Sequence, residues 1–200
     1  MKSILSTTYF GPVQWYQKLH RCDECLLEQH ESFCKQTYRN RMMIATANGV
    51  QALSIPTNHD TSLYIRDIRI SDHANWRHVH WNALCSAYGE SPFFEYYQDD
   101  IRPFYEKKWE FLFDFNMEIT HKMVELLDLR PHLHLTDCYI KDVEGMADFR
   151  EAIRPKHPLP DSGFMPRPYY QVYRQRHGFL PNLSILDLLF NEGNEAIFFL

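Results

Sequence analysis

The sequence predicts an α/β protein in which a mixed β-sheet packs against helices, within one domain that covers residues 1–200. Three observations predict this class. A strand-like segment leads through Gly11 and Pro12 into a helical segment, and Asn48-Gly49 joins two β-rich segments with the strongest short hairpin signal. The later chain carries apolar residues at helical spacing, as in residues 76–87. Strands interleaved with helices in this way are typical of α/β layers.

The composition indicates a folded protein that is expected in the cytoplasm. Of its 200 residues, 44% are hydrophobic and 15% aromatic, which suffices for one buried core. The net charge of -5 disfavours general nucleic-acid binding but allows a local basic site. The five cysteines are an odd number, which favours reduced thiols. The first residues lack the apolar run of a signal peptide, and no stretch approaches the ~18 apolar residues of a membrane span.

The first segments form a candidate ligand edge. Ser3–Phe10 is predicted as a strand, and a helix is predicted from Pro12 to about His20, because proline is tolerated in the first helical turn. Free amides at a helix start attract anions, so Tyr9 and Gln14 are candidate substrate-binding residues. The alternative is that both side chains serve only in packing or at the surface.

Two patterns suggest metal ligands without completing a site. Cys22 and Cys25 have the Cys-x-x-Cys spacing, and His132 and His134 would share one face of a predicted strand. Zinc sites usually show a second ligand pair at a fixed distance, and no familiar partner occurs here. We therefore predict no metal site.

Residues 33–44 (FCKQTYRNRMMI) are the most unusual segment, and we predict that they form a strand. Alternation would place Lys35, Arg39 and Arg41 on one face, and Gln36, Tyr38 and Asn40 on the other. A half-buried strand should have one apolar face, and neither face is apolar here. Three cations on one face predict a cradle for phosphate or carboxylate. The alternative is a solvated edge strand whose charges prevent aggregation.

The hairpin is followed by a predicted return strand, Val50–Pro56, a loop at Asn58–Asp60 and a strand at Leu63–Ile70. Ser71 or Asp72 is expected to cap a helix that ends at Gly89. His80 falls within the apolar stripe of that helix. It is either a core histidine held by a neighbour or a catalytic base beside a pocket.

The remaining predictions are mainly structural. Ser91-Pro92 is expected to start a helix that Pro103 ends, and a longer helix runs from about Phe104 or Trp109 to Leu129. Further predictions are strands at His132–Ile140 and Tyr169–Tyr173, a stiff lid-like loop with five prolines at 154–168, and a helix at 181–193. In that helix Ser184 is the predicted N-cap, and Asp187 stands at the capping-box position.

Four stretches resemble the WbqC-like protein family: residues 9–16 (YFGPVQWY), 35–41 (KQTYRNR), 91–97 (SPFFEYY) and 182–193 (NLSILDLLFNEG). The resemblance covers nearly the whole chain, and the KQTYRNR stretch is its most specific part. Some members of that family are encoded in bacterial O-antigen clusters, and a glycine transferase role has been suggested for one. The resemblance implies a role in surface-polysaccharide or modified-sugar metabolism and supplies no catalytic residue.

Two functions are compatible with these patterns. The first is a transferase that moves an aminoacyl or acyl group onto an amino sugar, with an anionic small molecule such as a nucleotide sugar as ligand. The second is a non-catalytic protein that binds a sugar nucleotide or a polysaccharide precursor, or that docks on a partner enzyme. In the transferase, Lys35, Arg39 and Arg41 would hold phosphate, and Gln36, Tyr38 and Asn40 would contact polar groups of the sugar. His80 is its candidate base, and Cys34 is either an acyl carrier or, as the pattern favours, a small core cysteine. Known phosphate-binding and nucleophile motifs are absent, and no cofactor is indicated.

Overall fold

The computed structural model describes residues 1–58 and 63–200. The predicted loop at Asn58–Asp60 is therefore only partly described: Asn58 ends a short strand, and His59 and Asp60 lie outside the described residues. The strands are β1 (Lys2–Ser6), β2 (Glu24–Glu28), β3 (Arg41–Thr46), β4 (Gly49–Ser54), β5 (Thr57–Asn58), β6 (Arg69–Ile70), β7 (Leu133–Leu135) and β8 (Met146–Asp148). The α-helices are α1 (Val13–Arg21), α2 (Trp76–Tyr88), α3 (Phe94–Ile101), α4 (Pro103–Glu106), α5 (Leu112–Leu126), α6 (Arg174–His177) and α7 (Ile185–Glu192). Short 3-10 turns occur at Ile65–Asp67, His73–Asn75 and Gly193–Phe199.

The central sheet is parallel and has the strand order β7-β2-β1-β8. Parallel strands need a crossover connection, and α1 supplies the crossover between β1 and β2. Ile4 and Leu5 of β1 are fully buried because this strand lies inside the sheet. The predicted α/β class is confirmed, although parallel and antiparallel pairing occur in separate sheets. Strand β2 was missed, because its short ECLLE sequence has a glutamate at each end.

The hairpin prediction is confirmed, whereas the predicted basic strand is wrong over most of its length. Strands β3 and β4 pair antiparallel, and Gly49 at the turn has a φ of 102°, which glycine adopts without steric cost. Residues 35–40 form turns, and Gln36 has a left-handed φ of 62°. The Thr37 hydroxyl donates to the Cys34 carbonyl at 2.8 Å. This local bond offers the backbone an alternative to strand pairing.

Several other predicted elements differ from the observed ones. The chain at 7–10 is a loop rather than the second half of β1. Leu63–Ile70 contains a 3-10 turn and only two strand residues, and the predicted strand at His132–Ile140 shortens to three residues. Tyr169–Tyr173 is not a strand. Tyr169 is buried, and its hydroxyl donates a hydrogen bond to Asp187, so this segment is held by a side-chain contact instead of the backbone hydrogen bonds of a β-sheet.

The long helices lie where their apolar patterns predicted them, but some of the predicted capping residues are wrong. Helix α2 ends at Gly89 as predicted but begins at Trp76, after Ala74 and Asn75 in left-handed conformations. None of the helices in the described ranges combines the length and apolar character that crossing a bilayer requires. One hydrophobic core joins the sheet, α1, α2, α5 and α7.

Helix α7 is capped as predicted. The Ser184 hydroxyl accepts from the Leu186 amide at 3.3 Å and donates to the Phe10 carbonyl at 2.8 Å. Asp187 does not complete the capping box, because its carboxylate accepts bonds from Tyr169 and Gln171. Ser91 is not a cap either: its buried hydroxyl has no hydrogen-bond partner among the described residues.

These two serines give a matched stability test. We expect Ser184→Ala to lower the free energy of unfolding by about 1 kcal/mol, because a capped amide and a carbonyl lose their partner. Ser91→Ala also removes a buried hydroxyl, but that hydroxyl has no hydrogen-bond partner among the described residues. The substitution should therefore change the free energy of unfolding little. Urea denaturation of both variants measures the difference. Equal losses in the two variants would contradict the assigned cap.

Candidate functional site

The strongest concentration of polar chemistry lies at the carboxyl edge of the central sheet. Ser6 ends β1, Glu28 ends β2 and Asp148 ends β8, and the three strands run parallel. The carboxyl ends of parallel strands therefore bring these side chains to one edge. This edge is where open α/β sheets generally bind their ligands.

A buried ion-pair network anchors one half of this edge. Arg39 is 3% exposed and donates two hydrogen bonds to Glu31, from Nε to Oε1 at 2.8 Å and from Nη2 to Oε2 at 2.6 Å. Arg39 Nη2 also contacts the Ser6 hydroxyl at 2.7 Å and Glu151 at 3.2 Å. This two-point geometry is the pairing for which arginine is suited. The guanidinium therefore holds the loop after β2 against the end of β1.

A second network anchors the other half. Glu28 is fully buried and accepts hydrogen bonds from the Thr136 hydroxyl at 2.8 Å and from the His30 amide at 2.9 Å. Arg150 approaches Glu28 at 3.3 Å and also bonds Asp148. Burial favours the neutral form of Asp148, but the hydrogen bonds from Arg150 outweigh it and lower the Asp148 pKa. Both networks fix the backbone from which the neighbouring loops start.

These loops border an open cleft of about 590 Å³, which we call the carboxyl-edge cleft. It is lined by His30, Glu31, Ser32, Cys34, Tyr64, Tyr139 and Glu151. Glu31 is the rigid wall, because Arg39 binds both of its oxygens. The Glu151 side chain pairs with Arg39 and Arg154 but is 49% exposed. A cleft with a thiol, an imidazole, two carboxylates and two phenol rings can position a polar small molecule.

The orientation of His30 leaves one ring nitrogen available as a base. Its Nε2 lies 3.1 Å from the Thr136 carbonyl, which can only accept a hydrogen bond. The proton of the neutral ring therefore belongs on Nε2, and Nδ1 keeps its lone pair. Cys34 lines the same cleft with an exposed thiol, so the favoured expectation of a small core cysteine is wrong.

Tyr9 and His80, both predicted as site residues, meet in the core. The Tyr9 hydroxyl lies 2.9 Å from His80 Nδ1 and 2.8 Å from the Tyr105 hydroxyl. Trp76 and Phe115 pack around this chain of groups. Burial lowers the His80 pKa to about 4, despite an opposing hydrogen bond with the Ser54 backbone, and it raises the Tyr9 pKa well above its ordinary value. His80 is thus held neutral, and its catalytic role stays a prediction.

The residues of the predicted cradle do not share one strand face, because they do not form a strand. Lys35 and Gln36 are exposed, whereas Tyr38 and Arg39 are buried. Burial raises the Tyr38 pKa to about 12. The Asn40 amide donates to the Ile55 carbonyl at 3.0 Å, and Arg41 Nε donates to the Ser54 hydroxyl at 2.9 Å. Their roles in binding substrate stay predictions, now without a common cradle.

Gln14 fixes the proline-rich segment to α1. Its amide donates to Asp161 at 2.9 Å, and the buried ammonium group of Lys18 pairs with the same Asp161 oxygen at 2.6 Å. Burial opposes ionisation of Asp161, but the bonds from Lys18 and Gln14 outweigh it and lower its pKa. The segment at 154–168, predicted as an irregular loop, has no helix or strand and is clamped at this point. The role of Gln14 in binding substrate stays a prediction.

The two sequence patterns that suggested metal ligands do not form a metal site among the described residues. Cys22 and Cys25 are buried, and the Cys25 thiol lies 3.2 Å from the Ser3 hydroxyl. Burial raises the Cys25 pKa to about 11. Across residues 1–58 and 63–200, no group of three or more His, Cys, Asp or Glu side chains is arranged to hold a metal ion.

Sequence reasoning missed His30, Glu31 and Glu151 as site residues. The signal that could have found the first two is their position directly after a short strand, but β2 was itself not predicted. Glu151 had no signal, because its partner Arg39 lies 112 positions away.

The fold and the cleft define an α/β protein with a candidate ligand site at the carboxyl edge of a short parallel sheet. A family model matches residues 7–153 and 162–198, so the chain belongs to the WbqC-like protein family. It is also similar to the uncharacterized protein Rv1507c of Mycobacterium tuberculosis (strain ATCC 25618 / H37Rv). The two are 26% identical over 221 aligned positions, which cover 97% of this chain and 94% of that protein. No solved structure matches.

Proposed function

We propose that this protein transfers an acyl or aminoacyl group to the amine of an amino sugar in the assembly of bacterial surface polysaccharide, and that the transfer takes place in the carboxyl-edge cleft. The observation that carries the proposal is the exposed Cys34 thiol in one cleft with His30 and Glu151. The membership in the WbqC-like family supports the link to modified sugars. The reaction is placed in the cytoplasm, where the five free thiols would stay reduced.

The first half of the reaction loads the protein. His30 Nδ1 takes the proton of the Cys34 thiol, and the sulfur attacks the carbonyl carbon of a thioester donor. A new carbon–sulfur bond forms to Cys34, the carbon–sulfur bond of the donor breaks, and the leaving thiolate receives the proton from His30. The acyl group is then held as a thioester, with no net change in oxidation state.

The second half transfers the group to the sugar. A carboxylate suits an ammonium or amine ligand, and Glu151 presents to the cleft a half-exposed carboxylate that also pairs with Arg39 and Arg154. Glu151 accepts a proton from the sugar ammonium, and the free amine attacks the Cys34 thioester. The amide bond forms as the carbon–sulfur bond breaks. The second proton of the amine passes through His30 to the Cys34 thiolate, and Glu151 releases the first proton to solvent.

The proposal is tested by product formation. Purified protein is incubated with acyl and glycyl thioesters of coenzyme A and with 2-amino-2-deoxyglucose, and the amide product is quantified by mass spectrometry. We expect Cys34→Ser to abolish the product, and Glu151→Gln to lower the rate at least about tenfold through loss of the base. Cys138→Ser removes another exposed thiol and is the matched control, with an unchanged rate. Equal product from the wild-type protein and from Cys34→Ser would rule out the covalent route.

A second function is favoured by one observation. Glu31 has both carboxylate oxygens occupied by Arg39, and one of them also accepts from the Ser6 hydroxyl at 2.9 Å. Such a wall suits a rigid binding site, so the alternative is a protein that binds a sugar nucleotide or polysaccharide precursor without reacting. It predicts binding of the amino sugar that survives in Cys34→Ser and no product with any donor.

A further inference from the structure

A second cleft, of about 360 Å³, opens between the start of α2 and the segment around α4. We call it the cationic cleft, because its lining carries Arg77, Arg102 and Lys108 against one carboxylate, Glu106. It shares no lining residue with the carboxyl-edge cleft. Arg102 and Lys108 flank α4, whereas Arg77 lies in α2, so the fold rather than a charged run in the sequence brings the three cations together.

The cations of this cleft remain able to bind an anion. Arg102 pairs with Glu106, and Lys108 pairs with Asp72 at the rim, but both basic side chains are more than half exposed. Exposed pairs of this kind contribute little stability and exchange partners readily. An anionic ligand therefore competes with carboxylates that hold the cations only weakly.

Arg77 adds an unsatisfied donor. Its Nη1 bonds Asp72 at 2.6 Å and its Nε bonds the Lys107 carbonyl at 3.1 Å, while the guanidinium lies over the Trp76 ring. Its Nη2 is buried and has no hydrogen-bond partner among residues 1–58 and 63–200. A buried guanidinium donor without an acceptor is costly, and a phosphate oxygen is the acceptor it matches best.

Aromatic rings form another part of the lining. Trp81 is half-buried and stacks on Phe94 with 6.2 Å between ring centroids, which fixes its orientation. Tyr105 lies beside it, at 5.9 Å between centroids, and is buried. A fixed aromatic ring next to clustered cations is the combination that binds a nucleobase by stacking and its phosphates by charge.

We infer that the cationic cleft binds a nucleoside diphosphate. The diphosphate contacts Arg77, Arg102 and Lys108, and the base stacks against Trp81. The volume falls within the roughly 300–1,000 Å³ that small-molecule sites occupy. This inference goes beyond the proposed acyl transfer and does not depend on it, since none of its residues belongs to the carboxyl-edge cleft.

Titration calorimetry of the full chain with uridine 5′-diphosphate tests the inference. Arg102→Gln with Lys108→Gln removes two exposed cations, and we expect roughly tenfold weaker binding for each. Trp81→Leu should weaken binding about tenfold, and Trp81→Phe should retain most of the affinity because it keeps a ring. Arg130→Gln removes a cation outside the cleft and is the control, with an unchanged dissociation constant.

Asp72→Asn is expected to have the opposite effect on binding. Asp72 occupies both Arg77 and Lys108, so its neutralisation should tighten binding of uridine diphosphate. Melting temperatures establish that each variant is folded. Absence of measurable binding, or a dissociation constant unchanged in the Arg102 and Lys108 double variant, would overturn the inference. Cys34→Ser should bind uridine diphosphate like the wild type, so failure of the acyl-transfer proposal is distinguishable from failure of this one.

Discussion

Replacing Arg39 by methionine is expected to lower the free energy of unfolding by about 3–5 kcal/mol. The substitution leaves Glu31 buried without its cationic partner, and it also removes the contacts of Arg39 with Ser6 and Glu151. A carboxylate in that position must either stay charged in a poorly solvated site or take up a proton. Chemical denaturation of the wild type and of Arg39→Met measures the loss.

Two further variants make this prediction specific. Arg39→Met with Glu31→Leu removes both charges and should recover much of the loss, because a buried ion pair can be replaced by apolar groups of similar volume. Arg130→Met removes an arginine whose side chain is 88% exposed and should change stability by less than about 0.5 kcal/mol. A double variant as unstable as Arg39→Met alone would contradict the assigned role of the pair.

This result bears directly on the predicted anion cradle. Loss of ligand binding in an Arg39 variant would follow from loss of structure alone, so it would not show that Arg39 contacts a ligand. Lys35 is exposed and Arg41 is held by a single bond to Ser54, so variants at those two positions test the cradle without removing a buried charge.

The second large effect concerns the pH dependence of stability. Burial lowers the His80 pKa from about 6.5 to about 4, so the unfolded chain binds a proton more readily than the folded one between these values. Stability from this group is fully present above pH 6.5 and decreases as the pH falls toward 4. The shift corresponds to about 3 kcal/mol.

His80→Gln isolates this contribution, because glutamine cannot titrate. We expect the variant to be less stable than the wild type at pH 7.5 but to lose less stability between pH 6.5 and 4.5, measured by urea denaturation at each pH. Asp148 and Asp161 have lowered pKa values and therefore act at lower pH, below the usual range of a carboxylate. Parallel stability curves for wild type and variant would show that His80 does not titrate with folding.

The parts of the fold that the sequence predicted are those with a local signal. Asn48-Gly49 specifies the hairpin, Gly89 ends α2 and Ser184 caps α7, and each acts on its own few neighbours. The predicted strand at residues 33–44 is wrong before Arg41, where the chain turns and Arg39 binds the distant Glu31 network. Alternation of side chains was then applied to a segment that turns, and the shared face of the cations disappeared.

The candidate site was harder to predict because its contacts join distant positions. Arg150 meets Glu28 across 122 positions, and Tyr9 meets His80 across 71. No local pattern marks either pair. Polar residues in the KQTYRNR stretch did indicate an unusual segment, and Arg39 within it binds Glu31, a residue that lines the carboxyl-edge cleft.

The most direct test of the proposed function is the intact mass of the protein after incubation with a glycyl or acyl thioester of coenzyme A, without acceptor. We expect the added mass of one acyl group on the wild type and on Cys138→Ser, no added mass on Cys34→Ser, and loss of the added mass when 2-amino-2-deoxyglucose is supplied. An unmodified wild-type mass with every donor, or an adduct that persists in Cys34→Ser, would contradict the role of Cys34 in the carboxyl-edge cleft.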